Sequence, residues 1–186
     1  MIEGEKNLIE KAKQGDSACF GILYNNYLPQ IYRFILLKVN SKTEAEDLTH
    51  EVFLNAWQNL PKYKDQGFPF SSWLYQIARN RTIDHFRTKK PIASIDAFAE
   101  EKIELVNTNN LNIDDFLQIG LIKSAIHELK EEHQNVLIMR FIEDMSPAQI
   151  ANILGKSEGA IRLIQHRAIL ELRELLKGQQ ESENIV

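Results

Sequence analysis

Cysteine is almost absent: Cys19 alone excludes an internal disulfide and any multi-cysteine zinc site. It sits in the apolar run "SACFGILY", where a small buried thiol is expected rather than a nucleophile. Glycine (8) and proline (5) are scarce in the 186 residues, which disfavours a turn-rich β-fold and points to long helices. No apolar stretch approaches the roughly 20 residues of a membrane span. The first residues, "MIEGEKNLIEKAKQGD", are charged and lack the apolar core of a signal peptide. A cytoplasmic protein without membrane insertion is expected. There is no Gly-rich phosphate loop, and His50, His85, His127, His133 and His166 show no metal-ligand spacing. No cluster of catalytic groups stands out, so neither catalytic residue, metal nor cofactor is expected.

Hydrophobic residues make up 44% of the chain and charged residues 26%, a composition suited to packed cores. The net charge of -4 argues against coating nucleic acid without specificity. Any DNA contact must come from local basic patches.

Apolar residues recur at helical spacing nearly throughout. A short first helix should end at Gly15, with Asp16 capping the second. That second helix carries Phe20, Leu23, Tyr24, Tyr27, Ile31, Phe34 and Ile35 on a broad apolar face, and Pro29 is expected to bend it. "SKTE", Ser41–Glu44, has the form of a capping box. The helix it opens buries Leu48, Val52 and Ala56. It also sets Leu48, Val52 and Phe53 beside Asp47, Thr49 and Glu51, either as a surface for a basic, apolar protein partner or as a core helix with a solvated acidic face.

The stretch "NLPKYKDQGFPFSSW" reads as an aromatic-rich loop before a helix, "SSWLYQIARNRTIDHFRTKK", whose last turns are basic. Aromatics beside cations suit single-stranded nucleic acid, where bases stack and phosphates are neutralised. Tyr63, Phe68 and Phe70 serve equally well as core anchors. After Pro91 the periodicity fades into a linker longer than most intradomain connections. Helical patterning resumes near Asp114.

In "SPAQIANILGKSEGAIRLIQHR", Ser146 can cap, Pro147 fits the first helical position, and Gln149 completes the box. Ala151 is small where two helices cross, Gly155 takes the turn, and Ser157 caps the second helix. Ile161 and Ile164 pack back on the first. This is a helix-turn-helix arrangement. Its second helix leaves Glu158, Arg162, Leu163, Gln165, His166 and Arg167 pointing elsewhere. Arg suits guanine and Gln suits adenine in the major groove; the alternative is a solvated face on a structural helix pair.

Together "DSACFGILYNNYLPQIYRFI", "AEDLTHEVFLNAW", "FSSWLYQIARNRTIDHFR" and "LKEEHQNVLIMRFIEDMSPAQIANILGKSEGAIRLIQHRAILELR" resemble an extracytoplasmic-function sigma factor, the minimal type of the sigma-70 superfamily. The match runs over about Lys11–Leu176. The resemblance implies an all-α fold of two small helical domains: a region 2-like bundle over residues 1–90 and a region 4-like helix-turn-helix over 115–178. A flexible linker over 91–114 joins them, and 179–186 form a tail. It implies binding to the RNA polymerase core enzyme through Asp47, Leu48, Thr49, Glu51, Val52 and Phe53. It implies capture of melted −10 bases by the Lys62–Phe70 loop, with Lys62, Tyr63, Phe68 and Phe70. The adjoining helix adds Ser72, Trp73, Gln76, Arg79, Asn80, Asp84 and Arg87. Reading of a −35 duplex falls to Ser157, Glu158, Arg162, Leu163, Gln165, His166 and Arg167.

Promoter DNA, the polymerase core and an anti-sigma factor are the implied partners. The linker, with Asp96, Glu100, Glu101 and Glu104, is expected to thread toward the RNA exit path. Two departures stand out. Arg162, Leu163 and Ile164 replace the common R-S-R pattern, so a standard −35 consensus does not transfer. Gln76 and Ile77 stand where primary sigma factors place a tryptophan pair, so promoter opening should depend on a close −10 match. A sigma mimic that sequesters an anti-sigma factor and a stand-alone helix-turn-helix regulator are the rival readings.

Overall fold

The computed structural model describes residues 4–88 and 124–183. The described residues are helical, with no strand among them. The first half consists of α1 (Glu5–Lys13), α2 (Ser17–Val39), α3 (Lys42–Asn59), a 3₁₀ turn (Leu60–Lys62) and α4 (Phe70–Thr88). In the second half a helical segment over 124–128 precedes α5 (Glu131–Leu137), which widens into a π-helical turn (Ile138–Ile142). Then come α6 (Pro147–Leu154) and α7 (Glu158–Glu183). The linker at 91–114 and its acidic residues lie outside the described residues. The tail expected from residue 179 begins inside α7.

Local chemistry sets the helix ends. Asp16 caps α2 by accepting from the Cys19 backbone N–H at 3.0 Å and from its thiol at 3.2 Å. The backbone bond, with the thiol's, holds the Asp16 carboxyl below its ordinary value, and the hydrogen bond to Asp16 pushes the Cys19 thiol up. Helix α2 continues unbroken through Pro29 and stops at Asn40, which adopts the left-handed conformation. Ser41 caps α3 at 3.4 Å from the Glu44 N–H, but the capping box is only half made. The Glu44 carboxylate instead meets His85 Nε2 at 3.1 Å and ties α3 to α4.

The first half buries Ile31, Phe34, Ile35, Val52, Ala56, Leu60, Leu74 and Tyr75 almost completely. Burial of each large apolar side chain contributes about 1.5–3 kcal/mol relative to exposure. In the second half Val136, Ile138, Met139, Ile150 and Ile161 do the same, and His133 Nδ1 lies 2.6 Å from Glu171, joining α5 to α7.

These two groups of side chains form one continuous core rather than two separated ones. The second half docks on α2 and α4 through its π-helical turn and α6. The tethered-domain expectation did not foresee this docking. Its physical basis is a set of polar contacts, some at the surface and some buried, around an apolar seam. The Glu143 side chain, 2% exposed, receives Arg33 Nε at 2.8 Å, Arg33 Nη2 at 2.7 Å and the Tyr75 hydroxyl at 2.8 Å. Lys38, 1% exposed, donates to Asn135 Oδ1 at 2.7 Å.

Candidate nucleic-acid interface

The loop after the 3₁₀ turn and the first turns of α4 enclose an open cleft of about 320 Å³. Asp65 accepts from the Gly67 backbone N–H at 2.8 Å, and Gly67 takes a positive φ of 82°, which turns the chain back toward α4. Phe70 is buried as the anchor of this loop, and Tyr63 and Trp73 pack on it at centroid distances of 5.3 and 5.4 Å. Tyr63 and Trp73 also meet each other, at 5.0 Å. Both remain partly exposed and line the cleft with Phe68. Burial pushes the Tyr63 phenol above its ordinary value, so the ring stays neutral. Lys62 and Lys64 are exposed at the rim.

Aromatic walls with cations at the mouth form a chemically suitable place for an unstacked base and its phosphates. The polar side of the cleft comes from α4, where Ser72 and Gln76 lie one turn apart on one row. Asn80 continues that row beyond the cleft and is exposed. Asp84 pairs with Arg87 at 3.0 Å another turn on. The expected −10 set is therefore split. Lys62, Tyr63, Phe68, Ser72, Trp73 and Gln76 share the cleft, while Phe70 is beneath it. Arg79 faces the second half, 3.9 Å from Glu131, and Asn80, Asp84 and Arg87 extend down the helix.

Lys64, Gln66 and Pro69, inside the expected loop but not singled out there, also line the cleft, as do Asn59 and Asn152 from outside the expected set. Asn152 belongs to α6 and closes one side of the cleft. Its backbone carbonyl and side-chain oxygen accept from Gln76 Nε2 at 3.2 and 3.4 Å. No local pattern carries this contact, because it exists only where the two halves dock.

The helix-turn-helix forms as its spacing suggests. Ser146 accepts from the Gln149 N–H at 3.3 Å, and Gln149 Oε1 accepts from the Ser146 N–H at 2.8 Å, completing the capping box. Gly155 adopts φ 65°, and Ser157 caps α7 through the Ala160 N–H at 3.2 Å. Ile161 and Ile164 are buried, and this fixes the rotation of α7. Ser157, Glu158, Arg162, Leu163, His166 and Arg167 are exposed, and Gln165 is half-buried. Glu158 and Arg162 pair at 3.5 Å along the helix.

On α3 the expected partner surface needs correction. Leu48, Thr49, Val52 and Phe53 are buried in the core, and Phe53 packs against Tyr24 at 4.7 Å. Thr49 spends its hydroxyl on the Ala45 carbonyl at 2.6 Å. One helical stripe cannot face both the core and a partner. Of those candidates only Asp47 and Glu51 are exposed, and the apolar member of their face is Leu54, 48% exposed. The signal for Leu54 was present: it lies three residues after Glu51 and off the buried stripe.

Comparison with known proteins assigns the two halves of the chain to known families. The model of sigma-70 region 2 matches residues 23–92, and that of sigma-70 region 4 matches residues 125–174. The chain is 34% identical over 172 residues to the ECF RNA polymerase sigma factor BldN of Streptomyces coelicolor, covering 91% of this chain and 64% of that protein. It is 29% identical over 181 residues to the ECF RNA polymerase sigma factor SigW of Bacillus subtilis, covering 92% of this chain and 96% of that one. The chain thus spans a little under two thirds of BldN and nearly all of SigW. A solved structure of the sigma factor RpoE in complex with the anti-sigma factor NepR, from Bartonella quintana, shares the fold. Its TM-score is 0.68 at 23% identity, with 85% of this chain and 96% of that chain covered. The aromatic cleft lies in the half matched by region 2 and the capped helix-turn-helix in the half matched by region 4, so the chain belongs to the sigma-70 family of RNA polymerase sigma factors, in its extracytoplasmic-function branch.

Proposed function

We propose that this chain is a specificity subunit of bacterial RNA polymerase that directs the enzyme to promoters with −35 and −10 elements. The carrying observation is the pairing in one chain of an aromatic, lysine-rimmed cleft with a fully capped helix-turn-helix that exposes Arg162, Leu163, His166 and Arg167. In this reading α7 enters the major groove of the −35 duplex, and its exposed side chains meet base edges. The cleft receives a base of the melted −10 strand between Tyr63, Phe68 and Trp73. Ser72 and Gln76 supply hydrogen bonds, and Lys62 and Lys64 neutralise phosphates. Asn80, Asp84 and Arg87 extend that track along α4.

The exposed face of α3, with Asp47, Glu51 and Leu54, docks on the polymerase core, while Leu48, Thr49, Val52 and Phe53 hold that face in place from beneath. The protein contributes recognition and no catalytic group, and acts in the cytoplasm with the polymerase. An anti-sigma factor, of the kind bound to RpoE in the solved complex, is its expected regulator.

The Gln76–Asn152 contact bears on the mechanism. Asn152 occupies only the Gln76 amide nitrogen, so a −10 base that takes a hydrogen bond from Nε2 competes with Asn152, and in this reading such capture favours separation of the two halves. The test is reconstitution: the full chain is mixed with sigma-free core polymerase, and transcription is followed on a promoter library. Promoter-dependent transcripts support the reading. Stable binding to core enzyme without transcripts would favour a sigma mimic, and duplex binding without polymerase association a stand-alone regulator.

A further inference from the structure

Leu163 stands out on the reading face of α7. It is 49% exposed, in the second turn of the helix, and the residues within one turn of it on this face are small, polar or charged; the next exposed apolar side chain there, Leu170, is two turns on. Helix geometry puts Gly159 and Ala160 one turn before it and His166 and Arg167 one turn after. A side chain on a helix leans toward the N-terminus, so Leu163 points back toward the turn that carries Gly159 and Ala160. At Gly159 even an added Cβ would meet nothing within 4 Å, so among the described residues no side chain presses on this place. Arg162, beside it, is drawn along the helix by Glu158. The face therefore has an uncovered apolar centre with cations on its flanks.

We propose that Leu163 is a specificity residue that reads the C5-methyl group of one thymine in the −35 duplex; this rests on the −35 role of α7 proposed above. In the major groove the thymine methyl is the one apolar feature that distinguishes a base edge. The other edges present donors and acceptors, and an isobutyl group pressed on them removes water without replacing its hydrogen bonds. Leu163 thus favours T·A at its position by attraction and disfavours the other pairs by desolvation. His166 and Arg167 supply the polar contacts around it.

The experiment uses holoenzyme rebuilt from the full chain and core polymerase. A duplex library randomised over the −35 element is selected, and each thymine of the enriched sequence is then replaced by deoxyuridine, which removes only the methyl group. At one position deoxyuridine should weaken wild-type binding about fourfold, the factor expected for one methyl group left in water. The Leu163→Ala holoenzyme, whose folding is checked by its thermal melt, should bind the two templates equally at that position. Deoxyuridine without effect at every thymine would overturn the assignment, as would an undiminished loss in Leu163→Ala. Failure to enrich any duplex would refute −35 reading itself, whereas enrichment with indifference to the methyl group refutes Leu163 alone.

Discussion

Glu143→Ala should loosen the docking of the two halves. The Glu143 side chain is almost wholly buried and accepts from Arg33 Nε and Nη2 and from the Tyr75 hydroxyl, so one carboxylate joins the π-helical turn to α2 and α4. The bond to Glu143 raises the Arg33 guanidinium above its already high value, and burial, with the Glu143 charge, pushes the Tyr75 phenol up, so both stay protonated donors. Hydrogen bonds to charged groups contribute about 1.5–3 kcal/mol each, but Arg33 is 44% exposed and part of its share is screened. A net effect of about 2–3 kcal/mol on docking follows, on the order of a 30- to 150-fold change in the docked-to-open ratio. A dye pair on Gln58→Cys and Arg173→Cys reads the separation, since both positions are exposed and the native Cys19 is buried. Glu143→Ala should lower energy transfer and, with Gln76 released, tighten binding of a single-stranded −10 oligonucleotide. Tyr75→Phe should move both in the same direction by less. Unchanged energy transfer and thermal melting in Glu143→Ala would refute the latch.

Lys38 gives the same docking a pH dependence. Burial lowers its pKa from 10.5 to about 8, with Glu131 opposing the shift and Arg79 adding to it. Opening returns the ammonium to water and its ordinary value, so closure releases a proton between those two pKa values. Docking should be flat below about pH 8 and strengthen as pH rises from there toward 10.5; the dye pair measures this, and Lys38→Met should abolish the slope. Asp47→Arg with Glu51→Arg should abolish co-migration with core polymerase on size-exclusion chromatography at unchanged helicity, because both side chains are exposed and outside the core; retained assembly would move the contact elsewhere. Ser146→Ala should destabilise α6 by about 1 kcal/mol in denaturant melts by removing one arm of the capping box, with −35 duplex affinity falling in parallel.

Local features were legible because their causes are local. Asp16, Ser146, Gly155 and Ser157 act on groups within a few residues, and each performs the expected task. The Ser41 box was half right, since Glu44 found His85 from another helix before its own N-terminus. The wall of the cleft was legible too, as aromatics and lysines crowd one short loop. On α3 the spacing of Ala45, Leu48, Val52 and Ala56 already marked a buried stripe, and extending the partner surface onto that stripe ignored it. Phe86, which helical spacing puts in line with the buried Ala78 and Thr82 of α4, is 45% exposed: the packing of α4 ends before its last turn. Nothing in the sequence announced Glu143, Asn135 or Asn152. Each acquires its role from a residue far away in the chain, and a single acid or amide in a polar stretch has no periodicity to betray it.

A chain that selects promoters through two separate DNA contacts leaves the mark of both on its start sites, and start-site mapping reads them. Core polymerase with and without the full chain is run on fragmented genomic DNA of the source organism, and transcript 5′ ends are sequenced. A discrete set of chain-dependent starts is expected, each preceded by two short sequence blocks at constant spacing. Arg162→Ala should relax the upstream block and Gln76→Ala the downstream one, because those side chains lie on α7 and in the cleft, respectively. Starts indistinguishable from those of core enzyme alone, or chain-dependent starts with no shared upstream blocks, would contradict that selection.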